Sequence, residues 1–188
     1  MAEPLLTVAN QLTILRMALA PFLVVMVLSG DFTWALVIFV VAGTTDLLDG
    51  FIARRGHHET TLGATMDPIA DKMLMAGSFV ALTWGSGVAV RIPVWLTVIT
   101  LSRDVIIVLT VAVVNLTLGR RVFYPSILGK LSTMLQLVTA GVVLFLNALA
   151  SPFPSVRYLF VATFAATVAS ALHYVYLASV TRPSGGGA

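Results

Sequence analysis

Four aspartates, Asp46, Asp49, Asp67 and Asp71, interrupt an otherwise apolar chain within the run T-D-L-L-D-G-F-I-A-R-R-G-H-H-E-T-T-L-G-A-T-M-D-P-I-A-D-K. A carboxylate near membrane depth costs about 2.5 to 3.5 kcal/mol on insertion scales, so a cluster of them needs a cation or a water-filled cavity. Asp46 and Asp49 fall one helical turn apart, as do Asp67 and Asp71, and Gly50, Ala53 and Arg54 continue the Asp46 face at i+4, i+7 and i+8. Four carboxylates on the facing ends of two adjacent helices make an oxygen-only cage for one or two hard divalent cations, with Mg²⁺ the first candidate. Beside Arg54, such a cage suits phosphoryl-type transfer, in which cations neutralise a diphosphate and stabilise the attacking and leaving oxygens of an in-line displacement. The small residues Gly50, Ala53 and Gly63 would let helices and phosphates approach closely.

The elements that position these acids follow from composition. The chain has 188 residues, 59% hydrophobic and 10% charged, with a mean hydropathy of +1.00. An ordinary soluble domain is roughly 25% charged, so an integral membrane protein is expected. Its apolar stretches run about 20 residues without the alternation of barrel strands, so the bilayer is crossed by helices. There is no cysteine, and any metal must be held by oxygen or histidine. The net charge of +3 comes from eleven scattered Lys and Arg, with no basic stripe interleaved with aromatics, and nucleic acid is excluded as a partner.

Apolar spans at about residues 12–29, 33–53, 68–88, 93–116, 128–149 and 155–180 predict an all-α bundle of six transmembrane helices. Residues 1–180 are expected to form one integral-membrane domain, with residues 3–9 as a short interfacial helix and 181–188 as a flexible tail. Asp67 ahead of Pro68 resembles an N-cap followed by a first-turn proline, which predicts that the third span starts there. The N-terminus lacks the basic and small-residue features of a cleaved signal, so the first span is expected in the mature protein. Arg54, Arg55, Arg120, Arg121, Lys130 and Arg182 fall on one side of the membrane, against Arg91 and Arg157 on the other. The positive-inside rule then puts both termini and the acidic loop in the cytoplasm, with a polar active-site cavity opening to that face of a bacterial inner membrane.

The spacing D-x-x-D-G-x-x-A-R-x(8)-G-x-x-x-D-x-x-x-D, met at Asp46, Asp49, Gly50, Ala53, Arg54, Gly63, Asp67 and Asp71, resembles the signature of the CDP-alcohol phosphotransferases. N-x-x-T-x-x-R at Asn10, Thr13 and Arg16 resembles the start of that family's first span. S-R-D at 102–104 and P-S-x-x-G-K-x-x-T at 125–133 resemble its fourth and fifth. The resemblance implies a CDP-linked lipid donor, usually CDP-diacylglycerol, an alcohol acceptor, and CMP as leaving group. It also implies two Mg²⁺ or Mn²⁺ ions held by Asp46, Asp49 and Asp67 with Asp71 closing the site, and Asp71 as the general base toward the acceptor hydroxyl. By the same resemblance Gly50, Ala53, Arg54 and Gly63, with Asn10 and Thr13, bind the cytidine diphosphate donor among membrane lipid, and the protein is a homodimer.

Each assignment has a plainer alternative. The acids could form an ion-pair network with Arg54 and Lys72; Asn10, Thr13 and Arg16 could pack against a neighbouring span or snorkel to the surface. Arg103 and Asp104 near the centre of the fourth span could pair with each other, and Lys130 could be an interfacial anchor. His57 and His58 read as solvated loop residues, His173 as a satisfied interfacial group, and the methionines as filler. Arg103 and Lys130 together favour a phosphate-bearing acceptor over a cationic one, glycerol-3-phosphate first. The runs A-G-T-T-D-L-L-D-G-F-I-A-R and S-R-D-V-I-I-V are similar to the cardiolipin-forming branch, whose acceptor is phosphatidylglycerol. Outside this class stand an ion or proton transporter using the acids as a relay, which the lack of duplicated broken spans disfavours, and a lipid-binding scaffold.

Overall fold

The computed structural model describes residues 8–56, 61–118, 127–151 and 153–180, of which 8–10, 47–56, 61–69, 110–118 and 175–180 are described by backbone alone. The described residues form six helices and no strand: α1 (Val8–Leu28), α2 (Phe32–Gly56), α3 (Thr61–Trp84), α4 (Val94–Leu118), α5 (Ile127–Ala148) and α6 (Val156–Val180). The six-helix, all-α architecture expected from the apolar spans is therefore present. Residues 3–7 of the interfacial segment, His57, His58, Arg120, Arg121 and the tail at 181–188 lie outside the described residues.

One boundary needs correction. Helix α3 begins at Thr61 rather than at Asp67, and Pro68 lies inside it. Proline's fixed φ is itself helical, and what it removes is its own N–H and room around the carbonyl four residues earlier. Residues 61–67 accordingly keep helical geometry ahead of it, and Asp67 is an internal residue rather than a cap. Pro21 is likewise inside α1, as apolar spans tolerate where neighbouring groups satisfy the freed carbonyl.

Among the described residues, Gln11–Leu28 of α1, Ile127–Ala148 of α5 and Val156–Tyr174 of α6 are long and apolar enough to cross a membrane, and Phe32–Asp46 of α2 is a shorter apolar run. Large apolar side chains face outward along these helices, among them Phe22, Trp34, Val40, Phe145 and Val161, while threonine, serine, glutamine and arginine are buried. That distribution belongs to a membrane protein. Lipid is as apolar as leucine, so helices associate through close packing and polar contacts rather than by hiding oil from water.

The chain divides into two compact units, Met1–Ile92 with Ala140–Pro154, and Pro93–Thr139 with Ser155–Ala188. In the first, α1 packs on both α2 and α3. The buried face of α1 reads Thr13, Arg16, Ala20, Leu23 and Val27, a stripe repeating every three or four residues that turns from polar to apolar along the helix. Gly77 of α3 allows the close approach: a Cβ there would meet Val24 Cγ2 at 3.0 Å. The segment after α3 folds back on its own helix through Ile92 N–H to the Leu82 carbonyl. Asn147 at the end of α5 clamps that segment. Its Oδ1 accepts from the N–H groups of Ala89 (2.8 Å) and Val90 (3.1 Å), and its Nδ2 donates to the carbonyls of Val90 (2.9 Å) and Val143 (2.8 Å).

In the second unit α4 packs on α6, with Trp95 and Phe164 edge to face at 5.3 Å. A polar seam joins α5 to α6: Thr139 meets Thr163 at 2.7 Å, Ser132 meets Thr167 at 3.2 Å, and Gln136 Nε2 donates to Ser132 at 3.2 Å. Hydroxyls also bond back to their own helix, as Ser78 does to Leu74 and Thr83 to Phe79, both at 2.7 Å, which helps to satisfy them without water.

Two helices end alike but with different residues. After α1, Asp31 N–H bonds to Met26 and Gly30 N–H to Val27; after α5, Ser151 N–H bonds to Leu146 and Ala150 N–H to Asn147. Both patterns put one residue in the left-handed region, Gly30 at φ 80° and Ala150 at φ 48°. A Cβ in that region costs about 1 to 2 kcal/mol. Ala150→Gly is therefore expected to raise the midpoint of thermal unfolding in detergent, and an unchanged or lower midpoint would show that the turn carries no strain.

Candidate active site

The polar end of the first unit is where three helices bring charge together. On α2 the buried positions Ala35, Phe39 and Ala42 lead to Asp46 one turn further on the same face. On α3, Asp71 follows buried Ala70 and precedes buried Leu74. Between them stands Arg16 of α1, fully buried. A single guanidinium nitrogen, NH1, lies 2.9 Å from Asp46 Oδ1 and 2.5 Å from Asp71 Oδ1. The two Oδ1 atoms are thus no further apart than those two contacts combined, and both carboxylates keep nearly half of their side-chain surface exposed, at 44% and 46%.

This pairing assigns what the sequence left open for Arg16. The residue neither snorkels nor packs as a neutral polar group; it is a buried cation held by two of the four signature acids. The available signal was an arginine one turn after a threonine inside an apolar span, since a cation at that depth requires an acidic partner. Thr13 is buried on the same face. The backbone of α2 is helical through Gly56 and that of α3 from Thr61, so Asp49, Gly50, Ala53 and Arg54 keep their helical register from Asp46, and Gly63 and Asp67 theirs from Asp71. The side chains of these residues, and of Asn10, lie outside the described ones.

The donor set fits a hard divalent cation. Asp46 and Asp71 converge from two helices, keep nearly half of their side-chain surface exposed, and offer carboxylate oxygen in a chain without cysteine. Oxygen-only sites of this kind suit Mg²⁺ or Mn²⁺.

The second unit holds the residues expected to meet the acceptor. Arg103 is buried on α4; its NH1 donates to Asp104 Oδ1 and its NH2 to Ser170 Oγ of α6, both at 2.8 Å. The mutual pair considered from the sequence is thus formed, and Ser170, sixty-seven residues away, is a partner no local pattern announces. Arg103 Nε, Thr100 Oγ1 and His173 Nδ1 are buried without a hydrogen-bond partner among the described residues, so His173 is only partly the satisfied group expected. Lys130 is exposed in the first turn of α5.

The acids of α2 and α3 that meet around Arg16 are Asp46 and Asp71, the first and last positions of the signature. The family profile of the CDP-alcohol phosphatidyltransferases matches residues 6–178, and the chain belongs to that family. The chain is 35% identical to the human cardiolipin synthase (CMP-forming) over 188 residues, covering 89% of this chain and 61% of that protein. It is 37% identical to a probable phosphatidylglycerophosphate synthase of Mycobacterium tuberculosis over 153 residues, covering 77% and 68%. With the CDP-diacylglycerol–glycerol-3-phosphate 3-phosphatidyltransferase of Bacillus subtilis it shares 27% over 169 residues, covering 80% and 81%. The chain spans 61% or less of the length of the cardiolipin synthases it matches.

Proposed function

We propose that this chain transfers a phosphatidyl group from CDP-diacylglycerol to the hydroxyl of an alcohol acceptor, releasing CMP, as a step of phospholipid synthesis. The observation that carries the reading is the convergence of Asp46 and Asp71 from α2 and α3 within the segment that matches the family. In this reading Asp46, Asp49 and Asp67, with Asp71 at the edge, hold one or two Mg²⁺ or Mn²⁺ ions. When bound, the ions neutralise the donor diphosphate and polarise the phosphorus under attack. Asn10, Thr13, Gly50, Ala53, Arg54 and Gly63 accommodate the cytidine diphosphate, with Arg54 on a phosphate. Asp71 takes the proton of the acceptor hydroxyl. The acceptor oxygen forms a bond to the diacylglycerol-bearing phosphorus, the bond from that phosphorus to the bridging oxygen breaks, and CMP departs with the electron pair. The basic residues that follow the second and fourth spans in the sequence support a site facing the cytoplasm; the membrane we have in view is a bacterial inner membrane. A homodimer, implied by the family resemblance alone, is tested by the mass of the purified particle.

Phosphatidylglycerol is the acceptor we favour. Glycerol-3-phosphate came first from the sequence because Arg103 and Lys130 together favour a phosphate-bearing acceptor, and Arg103 is already matched by Asp104 at 2.8 Å. The name of the human relative agrees. Glycerol-3-phosphate remains the second reading, supported by exposed Lys130 and by the names of the mycobacterial and Bacillus relatives.

The two separate in one assay of purified protein with CDP-diacylglycerol and each acceptor, products resolved by mass. Cardiolipin is expected from phosphatidylglycerol, with no competition from soluble glycerol-3-phosphate. Phosphatidylglycerophosphate without cardiolipin would install the second reading. In that case Arg103→Gln or Lys130→Gln should weaken acceptor affinity about tenfold to a hundredfold, the worth of one charge-assisted hydrogen bond.

A further inference from the structure

The position of Arg16 implies more than an anchor. Its guanidinium is fully buried, and one nitrogen serves carboxylates from two different helices whose outer surfaces stay open. Arginine remains protonated in any protein environment, so this charge is fixed. Two like-charged carboxylates held this close beside an apolar interior repel each other more than they would in open water, even with nearly half of each side chain exposed. Something must compensate them whenever no divalent ion is present, and Arg16 is placed to do so. The same fixed charge lies beside the place where the cation must sit and repels it.

Resting on the metal reading above, we propose that Arg16 is a built-in counter-cation for the acid pair. It offsets one of the two charges of Asp46 and Asp71 while the site is without a divalent ion, which keeps the bundle folded, and it opposes the ion when one arrives, which keeps binding weak and exchangeable. Arg16 is a positioning residue in this scheme and takes no part in bond making. Its signature is a pair of opposite effects. A merely structural arginine, once removed, would lower stability with and without metal and would leave metal binding unchanged or weaker. A counter-cation, once removed, lowers stability only without metal and tightens metal binding.

The test uses the full chain in detergent, with Mn²⁺ as probe. Free Mn²⁺ is counted by electron paramagnetic resonance, and thermal unfolding is followed in chelator and in Mn²⁺. Wild type that binds no Mn²⁺ would overturn the metal reading, and this proposal with it. Given binding by wild type, Arg16→Gln is expected to bind Mn²⁺ about tenfold more tightly, since one repelling charge is gone. It should also unfold at least about 3 °C lower in chelator and show a larger Mn²⁺-induced rise than wild type. Arg16→Lys keeps a charge on a single nitrogen and should stay near wild type in both readouts. Equal or weaker Mn²⁺ binding by Arg16→Gln, or an Arg16→Lys protein indistinguishable from it, would overturn the proposal. Should Arg16→Gln not fold in chelator, Arg16→Gln combined with Asp46→Asn decides: with one acid neutralised, metal-free folding should return, and failure to return means that Arg16 is structural.

Discussion

Protein carrying Asp71→Asn is expected to release CMP from CDP-diacylglycerol about 10²- to 10⁴-fold more slowly than wild type, the range in which removal of a general base falls. Asparagine keeps the oxygen that accepts from Arg16, so the contact between α1 and α3 survives and the loss is chemical rather than structural. What disappears is the negative charge and the ability to take a proton from the acceptor hydroxyl. Donor binding should stay measurable, because the lost interaction is used chiefly in the transition state. Asp46→Asn should be comparably slow for a different reason: with a ligand charge removed, its activity should recover in part when divalent cation is raised. The measurements are CMP release across a titration of Mg²⁺ and donor binding by calorimetry. Equal loss of donor binding and turnover in Asp71→Asn would make Asp71 chiefly a metal ligand, and full turnover in chelator would remove the metal from the mechanism.

The second large effect concerns folding. Asn147→Leu is expected to destabilise the protein by about 2 to 5 kcal/mol, because the buried N–H and carbonyl of Val90 lose their partner, each such orphan costing about 1 to 3 kcal/mol, and the part-buried N–H of Ala89 loses its own. The leucine would add volume to a site 5% exposed without offering any of those bonds. Asn147→Asp should fall between, since it keeps an acceptor for both N–H groups and loses the donor to Val90. Unfolding midpoints in detergent check the order wild type, aspartate, leucine. Aspartate and leucine variants of equal stability would mean that the amide's paired donor and acceptor are not what fastens residues 89 and 90.

The sequence was legible where structure is local. Runs of about 20 apolar residues separated by Ser-Gly-Asp, Gly-Ser-Gly and Ser-Pro-Phe-Pro define helices whatever they pack against, and all six are there. The helical register from Asp46 onward is equally local, and α2 holds it to Gly56. Local rules misled at Asp67–Pro68, where a capping pattern met a helix already under way from Thr61. The partners of Arg16, Arg103 and Asn147 were beyond reach for another reason. Their distant partners, Asp71, Ser170 and Val90, lie 55, 67 and 57 residues away, and the choice of which faces meet is made by packing between helices, on which periodicity is silent. A lone buried arginine announces that an acid must come, but not from where.

The bridge from Arg16 to two later helices also orders events during synthesis. The arginine leaves the ribosome thirty residues before Asp46 and fifty-five before Asp71. At about 5 to 20 residues per second, α1 carries an unmatched positive charge for about two to six seconds. Of its two partners Asp46 is synthesised first, so the hairpin of α1 and α2 is the earliest unit able to match the charge, and α3 follows. Until then the charge gives α1 a reason to stay beside the translocon's wet interior rather than slip alone into lipid.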